Sequence, residues 1–231
     1  MNPNGPWDAL WIVLRWFSTL IPVSSATAMS DLFGYHPIAG RNLLPVDGHA
    51  AYFSRVFAPD EAARLAGYLF RNIAWRPDQV VIFGKVITTR RQVAWYADHP
   101  YDYTYSGITR TALPWVEPLL EIRQKIAFLC QDSFNSCLLN LYPSGADGMG
   151  WHSDGEKDLK HNGVIASVSF GAERRFQFRH RDTKEVVSLW LEHGSLLVMK
   201  GVTQSHWLHS LPKMARVKGP RINLTFRQID R

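Results

Sequence analysis

The feature that most limits what this chain can become is a change of rhythm after Cys130. From Ser136 to Tyr142, Val164 to Phe170, Arg174 to Phe178, Val186 to Leu191, Ser195 to Met199, His206 to His209 and Arg221 to Arg227 the sequence offers seven short runs rich in β-branched and aromatic residues. Turn residues separate them and no helical period returns. Such a succession predicts a sandwich or barrel of mostly antiparallel strands. Two helices fall before it. Pro59-Asp60-Glu61 opens the first, with Ala62, Leu65, Ala66, Leu69 and Ile73 as its apolar face, because proline suits the first helical position and acids suit the positive end. The second runs from Pro114 to Cys130, with Leu119, Leu120, Ile122, Ile126 and Leu129 inward. The expected fold is α+β, mainly β, with helices laid outside one β domain.

At 231 residues the chain suits one large domain, and 46% hydrophobic, 20% charged and 13% aromatic residues exclude a disordered one. Its net charge of +6 favours a polyanionic partner. Cys130 and Cys137 lack zinc-site spacing and give no disulfide framework, so reduced cytoplasmic thiols are expected. The apolar run from Ala9 to Val23 is broken by Arg15 and is short for a membrane span, and no basic residue precedes it as a secretory signal requires. Met29-Ser30-Asp31 resembles an ordinary N-terminus. Residues 1–30 are therefore expected to be an extension outside the native fold, and residues 31–231 one domain, without a membrane partner and monomeric.

Before the β region, Val80-Val81-Ile82-Phe83 and Val86-Ile87-Thr88-Thr89-Arg90 flank Gly84-Lys85 and read as a β-hairpin with an aromatic at its tip. Tyr101, Tyr103 and Tyr105 then alternate along one face of an extended segment. Half-buried tyrosines are the plain explanation, although aromatics interleaved with Arg90 and Arg91 also stack on bases. Arg174-Arg175 and Arg179-His180-Arg181 straddle a hairpin and are expected in a solvated loop.

Chemistry enters at Trp151-His152-Ser153-Asp154. Side chains at i and i+2 of extended backbone share a face, so His152 and Asp154 can converge on one ion. Alone, such a pair is more often a solvated turn. A third ligand is available in either His206 or His209, and two histidines with one carboxylate make the facial triad of non-heme Fe(II) oxygenases. Alternation also places Asn140 with Tyr142, and Arg221 with Asn223, Thr225 and Arg227, on polar strand faces. In a barrel these can line a cavity, where arginine forks, amides and a phenol suit a small dicarboxylate.

Together, Asn140-x-Tyr142, His152-x-Asp154 with Glu156, His209-Ser-Leu-Pro and Arg221-Ile-Asn-Leu-Thr-Phe-Arg227 resemble the AlkB family of Fe(II)/2-oxoglutarate-dependent dioxygenases, over residues 80–231 in matching order. Phe83-Gly84-Lys85 and Tyr103-Thr104-Tyr105-Ser106-Gly107 bring the chain nearest to the DNA-repair branch. The resemblance implies a double-stranded β-helix (jelly roll) with a nucleotide-recognition lid near 80–107. It implies Fe(II), 2-oxoglutarate and O2, and oxidative removal of methyl groups from N1 of adenine and N3 of cytosine with release of formaldehyde. His152, Asp154 and His209 would hold iron, His209 being preferred for its spacing to Ser210-Leu211-Pro212 and Arg221, with His206 structural. Tyr142 and Arg221 would hold the distal carboxylate of 2-oxoglutarate, and Asn140, Asn223 and Arg227 would lie near its iron-chelating end. Tyr105 and His152 would sandwich a flipped base, Tyr103 and Glu156 would bond to its edge, and Phe83 would fill its place in the stack beside Lys85.

Two departures bear on base selectivity: Tyr105 stands where duplex-acting members often carry Phe, and Gly155 replaces an acid common before the recognition glutamate. The implied partner is methylated DNA, double- or single-stranded, and the implied setting is cytoplasmic, nucleoid-associated in a bacterium or nuclear in a eukaryote. A dioxygenase acting on RNA or protein, and a non-catalytic nucleic-acid-binding module, are the alternatives.

Overall fold

The computed structural model describes residues 40–82, 85–105 and 108–230. Residues 1–30, expected to be an extension, and the hairpin-tip pair Phe83-Gly84 lie outside them. In chain order the elements are β1 (His49–Phe53), α1 (Pro59–Asn72), β2 (Arg76–Ile82), β3 (Lys85–Ala97), β4 (Asp102–Tyr105), β5 (Ile108–Thr111), α2 (Glu117–Cys130), β6 (Ser136–Tyr142), β7 (Met149–His152), β8 (Ile165–Gly171), β9 (Arg174–His180), β10 (Val186–Leu191), β11 (Ser195–Lys200), the single turn α3 (Thr203–His206), β12 (Trp207–Leu211) and β13 (Arg221–Arg227). A seven-stranded sheet runs β1-β11-β8-β13-β6-β3-β2, a four-stranded sheet runs β10-β9-β12-β7, and β4 pairs with β5. From β6 to β13 the chain passes back and forth between the two larger sheets, and every pairing is antiparallel. This is a jelly roll.

Alternation along β13 explains why all seven of its residues are buried. Ile222, Leu224 and Phe226 face α1 and α2, where they pack with Leu65, Leu69, Leu119, Ile122 and Ile126. Each such side chain stabilises the fold by roughly 1.5–3 kcal/mol through burial. The opposite face, Arg221, Asn223, Thr225 and Arg227, looks into the space between the sheets, whose apolar part is built from Phe176, Phe178, Leu197, Met199, Trp207 and Leu211.

The first helix begins at Pro59 as its sequence predicts, and Glu61 accepts the Ala58 backbone N–H at 3.2 Å while gripping Lys125 of α2 at 2.8 and 2.9 Å. The second begins at Glu117, three residues later than expected. Leu113 precedes a proline and is thereby biased to extended backbone, and it exchanges bonds with the backbone of Trp95 and Ala97. Arg174 also departs from expectation. It is fully buried in β9, where its guanidinium donates to the carbonyls of Ser144, Asp147 and Pro212, so three carbonyls from two loops rather than solvent receive its charge. His180, from the same charge run, is buried too.

Candidate active site

The seven-stranded sheet presents its inner face as cross-strand rows. Tyr142 lies opposite Arg221; Asn140 lies between Val93 and Asn223, with Ser169 beyond; Leu138 lies between Trp95 and Thr225, with Ser167 beyond; Ser136 lies opposite Arg227. The four-stranded sheet faces them with His209 directly across from His152. A bulge then intervenes, since Leu211 pairs with Met149, so three residues of β7 match two of β12. That extra residue lets Met149 and His152 both line the cavity while Trp151 points outward under the Arg179 guanidinium, 4.3 Å from its ring centre. The cavity is about 180 Å³.

Asp154 leaves β7 and turns back between the two histidines. Its Oδ1 lies 3.9 Å from Nε2 of His152 and 3.9 Å from Nε2 of His209, and the imidazole centres are 4.3 Å apart. The three ligand-type atoms lie within 4.8 Å of one another, a spacing that one metal ion could bridge. Nδ1 of His152 sits 2.9 Å from the Gly150 carbonyl, which can only accept, so Nδ1 carries the proton and Nε2 offers its lone pair. Phe176 stacks on His209 at 5.5 Å and fixes that ring. Arg227 contacts Oδ2 of Asp154 at 2.9 Å and Glu156 at 3.4 Å.

Protonation states suit a cation. Burial acts to raise the Asp154 carboxyl, but Arg227, His209 and His152 outweigh it and hold it below the ordinary carboxylate range. Burial pushes His209 down to about 4 against the pull of Asp154. Two imidazoles, that of His209 held neutral, and one carboxylate then converge, the donor set of a non-heme iron centre. The depression also has a pH signature. Between about 4 and 6.5 an unfolded histidine binds a proton that native His209 refuses, so stability rises with pH across that window. The urea midpoint of metal-free protein is expected to climb there, and His209→Asn to flatten part of the climb; equal slopes would remove His209 as its source.

The other end of the cavity is built for an anion. Arg221 is buried, and its guanidinium donates to Ser169 Oγ at 2.9 Å and Asn223 Oδ1 at 2.7 Å, while its Nε has no hydrogen-bond partner. No carboxylate pairs with it among the described residues. Burial pulls it down to about 10, still well above neutrality, so a buried cation faces the cavity with neutral acceptors only. A carboxylate ligand answers that charge, and the residues fit 2-oxoglutarate at one end as they fit Fe(II) at the other.

All eight residues expected at the metal and co-substrate sites, His152, Asp154, His209, Asn140, Tyr142, Arg221, Asn223 and Arg227, line this one cavity, as does Glu156. Lys85 is exposed at the start of β3. Tyr103 and Tyr105 belong to β4, but their side chains, like Phe83, fall outside the described residues. Asp78, Arg91, Trp95 and Tyr101 also line the cavity and were not assigned from the sequence. For Trp95 a signal existed, since Arg91, Val93 and Trp95 alternate toward one face.

His206 is not in the expected strand; it closes α3 and stacks on His180 at 6.2 Å. With Asp47 the two make a second group of ligand-type atoms within 4.8 Å. Nδ1 of His180 accepts the N–H groups of Asp182 and Thr183, however, so its proton sits on Nε2, 3.3 Å from the Asp47 carboxylate, where a metal would need a lone pair.

A jelly roll holding two histidines and a carboxylate beside an anion-accepting arginine defines a class, the Fe(II)/2-oxoglutarate-dependent dioxygenases. The model of the 2OG-Fe(II) oxygenase superfamily matches residues 49–227. Among curated proteins the chain is 40% identical over 197 residues to DNA oxidative demethylase ALKBH2 of Mus musculus, covering 80% of this chain and 82% of that one. It is 44% identical over 159 residues to the Homo sapiens protein of the same name, covering 65% and 61%. It is 38% identical over 179 residues to alpha-ketoglutarate-dependent dioxygenase alkB homolog 3 of Bos taurus, covering 73% and 62%. The solved structure of OsALKBH1 matches with a TM-score of 0.52 at 17% identity, covering 80% of this chain and 99% of that one, which supports the fold. The chain belongs to the AlkB family of 2OG-Fe(II) oxygenases. It is accordingly an Fe(II)/2-oxoglutarate-dependent dioxygenase that uses O2. Among the described residues no helix is long and apolar enough to cross a membrane.

Proposed function

We propose that this dioxygenase demethylates 1-methyladenine and 3-methylcytosine in DNA, with His152, Asp154 and His209 as the iron ligands. The observation that carries the reading is the single cavity in which this triad, the anion site at Arg221 and the carboxylate of Glu156 meet. The 40% identity to a protein named as a DNA oxidative demethylase supports the substrate class. Bound iron supplies the activation of O2 coupled to decarboxylation of 2-oxoglutarate and hydroxylation of the methyl group, after which formaldehyde leaves.

The chain's own residues position the reactants. Tyr142 and Arg221 hold the distal carboxylate of 2-oxoglutarate, and Asn140, Asn223 and Arg227 flank its other end. Arg227 keeps Asp154 charged and aimed at the histidines. Bases methylated at these nitrogens are cationic, and Glu156 places a carboxylate at the cavity wall to meet the base edge, with Tyr103. Tyr105 and His152 enclose the base, which must leave the stack because the methyl group blocks its pairing edge. The hairpin β2–β3, which continues the seven-stranded sheet, is the recognition lid, and Lys85 opens its second strand. The enzyme acts as a monomer wherever its DNA is kept.

Adding methylated oligonucleotide to enzyme, Fe(II) and 2-oxoglutarate is expected to release formaldehyde. No stimulation by DNA, with strong stimulation by methylated RNA or a peptide, would move the enzyme to another substrate. Phe83→Ala separates strand types. Unstacking one step costs a few kcal/mol, and an apolar wedge filling the gap offsets it; single strands need no such help. Initial rates at one salt concentration should fall much more on duplex than on single-stranded DNA. Equal losses would remove Phe83 as the wedge.

A further inference from the structure

The cross-strand row that holds Tyr142 and Arg221 has a third member. Gln92 pairs with Leu141, so Arg91 comes next in line beside Tyr142, as Arg221 stands on its other side. The Arg91 guanidinium carbon lies 6.0 Å from the centre of the Tyr142 ring, against 5.6 Å for Arg221. Arg91 is buried, lines the same cavity, and bonds through Nη2 to the carboxylate of buried Asp78. Its Nη1 lies 2.9 Å from the Met149 sulfur, and the Tyr142 hydroxyl is also within hydrogen-bonding reach of the guanidinium. A thioether is a weak acceptor for a charged donor, and a carboxylate oxygen in the cavity would be a much stronger one. The remaining guanidinium against this ring, Arg174 at 5.9 Å, is already held by three carbonyls.

We infer that Arg91 is a third co-substrate-binding residue, donating from Nη1 to the distal carboxylate of 2-oxoglutarate beside Tyr142 and Arg221. The inference rests on the proposed placement of 2-oxoglutarate and adds to it. Asp78 positions Arg91, which alternation already turns into the cavity with Val93 and Trp95; Asp78 meets it where the β2–β3 register slips between Pro77 and Gln79. Arg91 belongs to the same strand that leads from the hairpin tip. One side chain thus joins the co-substrate pocket to the strand that presents the nucleic-acid lid.

Calorimetric binding to anaerobic, Fe(II)-loaded protein tests this without turnover. The probes are 2-oxoglutarate and 2-oxobutyrate, which chelates alike but has no distal carboxylate. Wild type should bind 2-oxoglutarate more tightly; absence of 2-oxoglutarate binding would overturn the pocket itself, not Arg91 alone. Removing Arg91 singly takes a cation from the buried Asp78 carboxylate, so the comparison is Asp78→Asn against Asp78→Asn/Arg91→Met. Asp78→Asn, which keeps the guanidinium while removing its charged partner, sets the reference affinity against which the double variant is read. The double variant should lose roughly tenfold to hundredfold in 2-oxoglutarate affinity, the worth of a charge-assisted hydrogen bond, with 2-oxobutyrate unchanged. Arg91→Lys should lose less and stay selective for the dicarboxylate. Equal affinity of the single and double variants for 2-oxoglutarate, or parallel losses for both acids, would reduce Arg91 to a structural partner of Asp78.

Discussion

Replacement of His152, Asp154 or His209 by alanine is expected to abolish DNA demethylation and release iron, whereas His206→Ala keeps appreciable activity and its metal. The three ligand atoms surround one point, and among the described residues no other histidine, cysteine or carboxylate joins their group: Glu156 bonds to Arg227, and His180 and His206 belong to the separate group with Asp47. Loss even of a group that only supports a ligand costs about 10–100-fold in metal affinity or activity, and loss of the ligand itself should exceed that. Asp154→Asn belongs beside the alanine variant, because Asp154→Ala leaves the Arg227 charge at the site without that carboxylate. The measurements are iron content after desalting and formaldehyde release on methylated oligonucleotide. An inactive, iron-free His206→Ala beside an active His209→Ala would reverse the assignment.

The site was legible where side-chain period alone decides which face a residue takes. Asn140 with Tyr142, and Arg221 with Asn223 and Arg227, share faces by alternation, and strands β6, β10 and β13 begin and end where their patterns predict. What alternation cannot show is whether a polar face meets water or a cavity; only pairing between distant segments buried all of β13. Strand β7 escaped notice because Met149-Gly150-Trp151-His152 has no period of two, and its bulge breaks the rule by which facing residues would be counted. Arg91 shares the inward face of Val93 and Trp95 by alternation, but its partner Asp78 lies at the register slip of the hairpin, which no side-chain pattern announces. Arg174 was hidden because its acceptors are carbonyls, which leave no trace in side-chain composition.

Arg221→Lys is expected to raise the 2-oxoglutarate requirement markedly and leave DNA saturation unchanged, although formal charge is conserved. Two features of the site act against lysine. Nη2 of the guanidinium is spent on Ser169 and Asn223, which leaves Nη1 for an incoming carboxylate, and an ammonium cannot reproduce that planar set of donors. Burial is the second. It pulls Arg221 down to about 10, and a lysine, whose ordinary value lies about two units below that of arginine, would be brought much nearer to neutrality by the same desolvation. The variant should therefore weaken further as pH rises from about 7 to 9, where wild type keeps its cation. Titration of 2-oxoglutarate and of methylated oligonucleotide at several pH values measures both effects. A pH-independent Lys variant with unchanged co-substrate saturation would mean that Arg221 faces structure instead of ligand, and the cavity's anion site would have to be sought elsewhere on the inner face of the sheet.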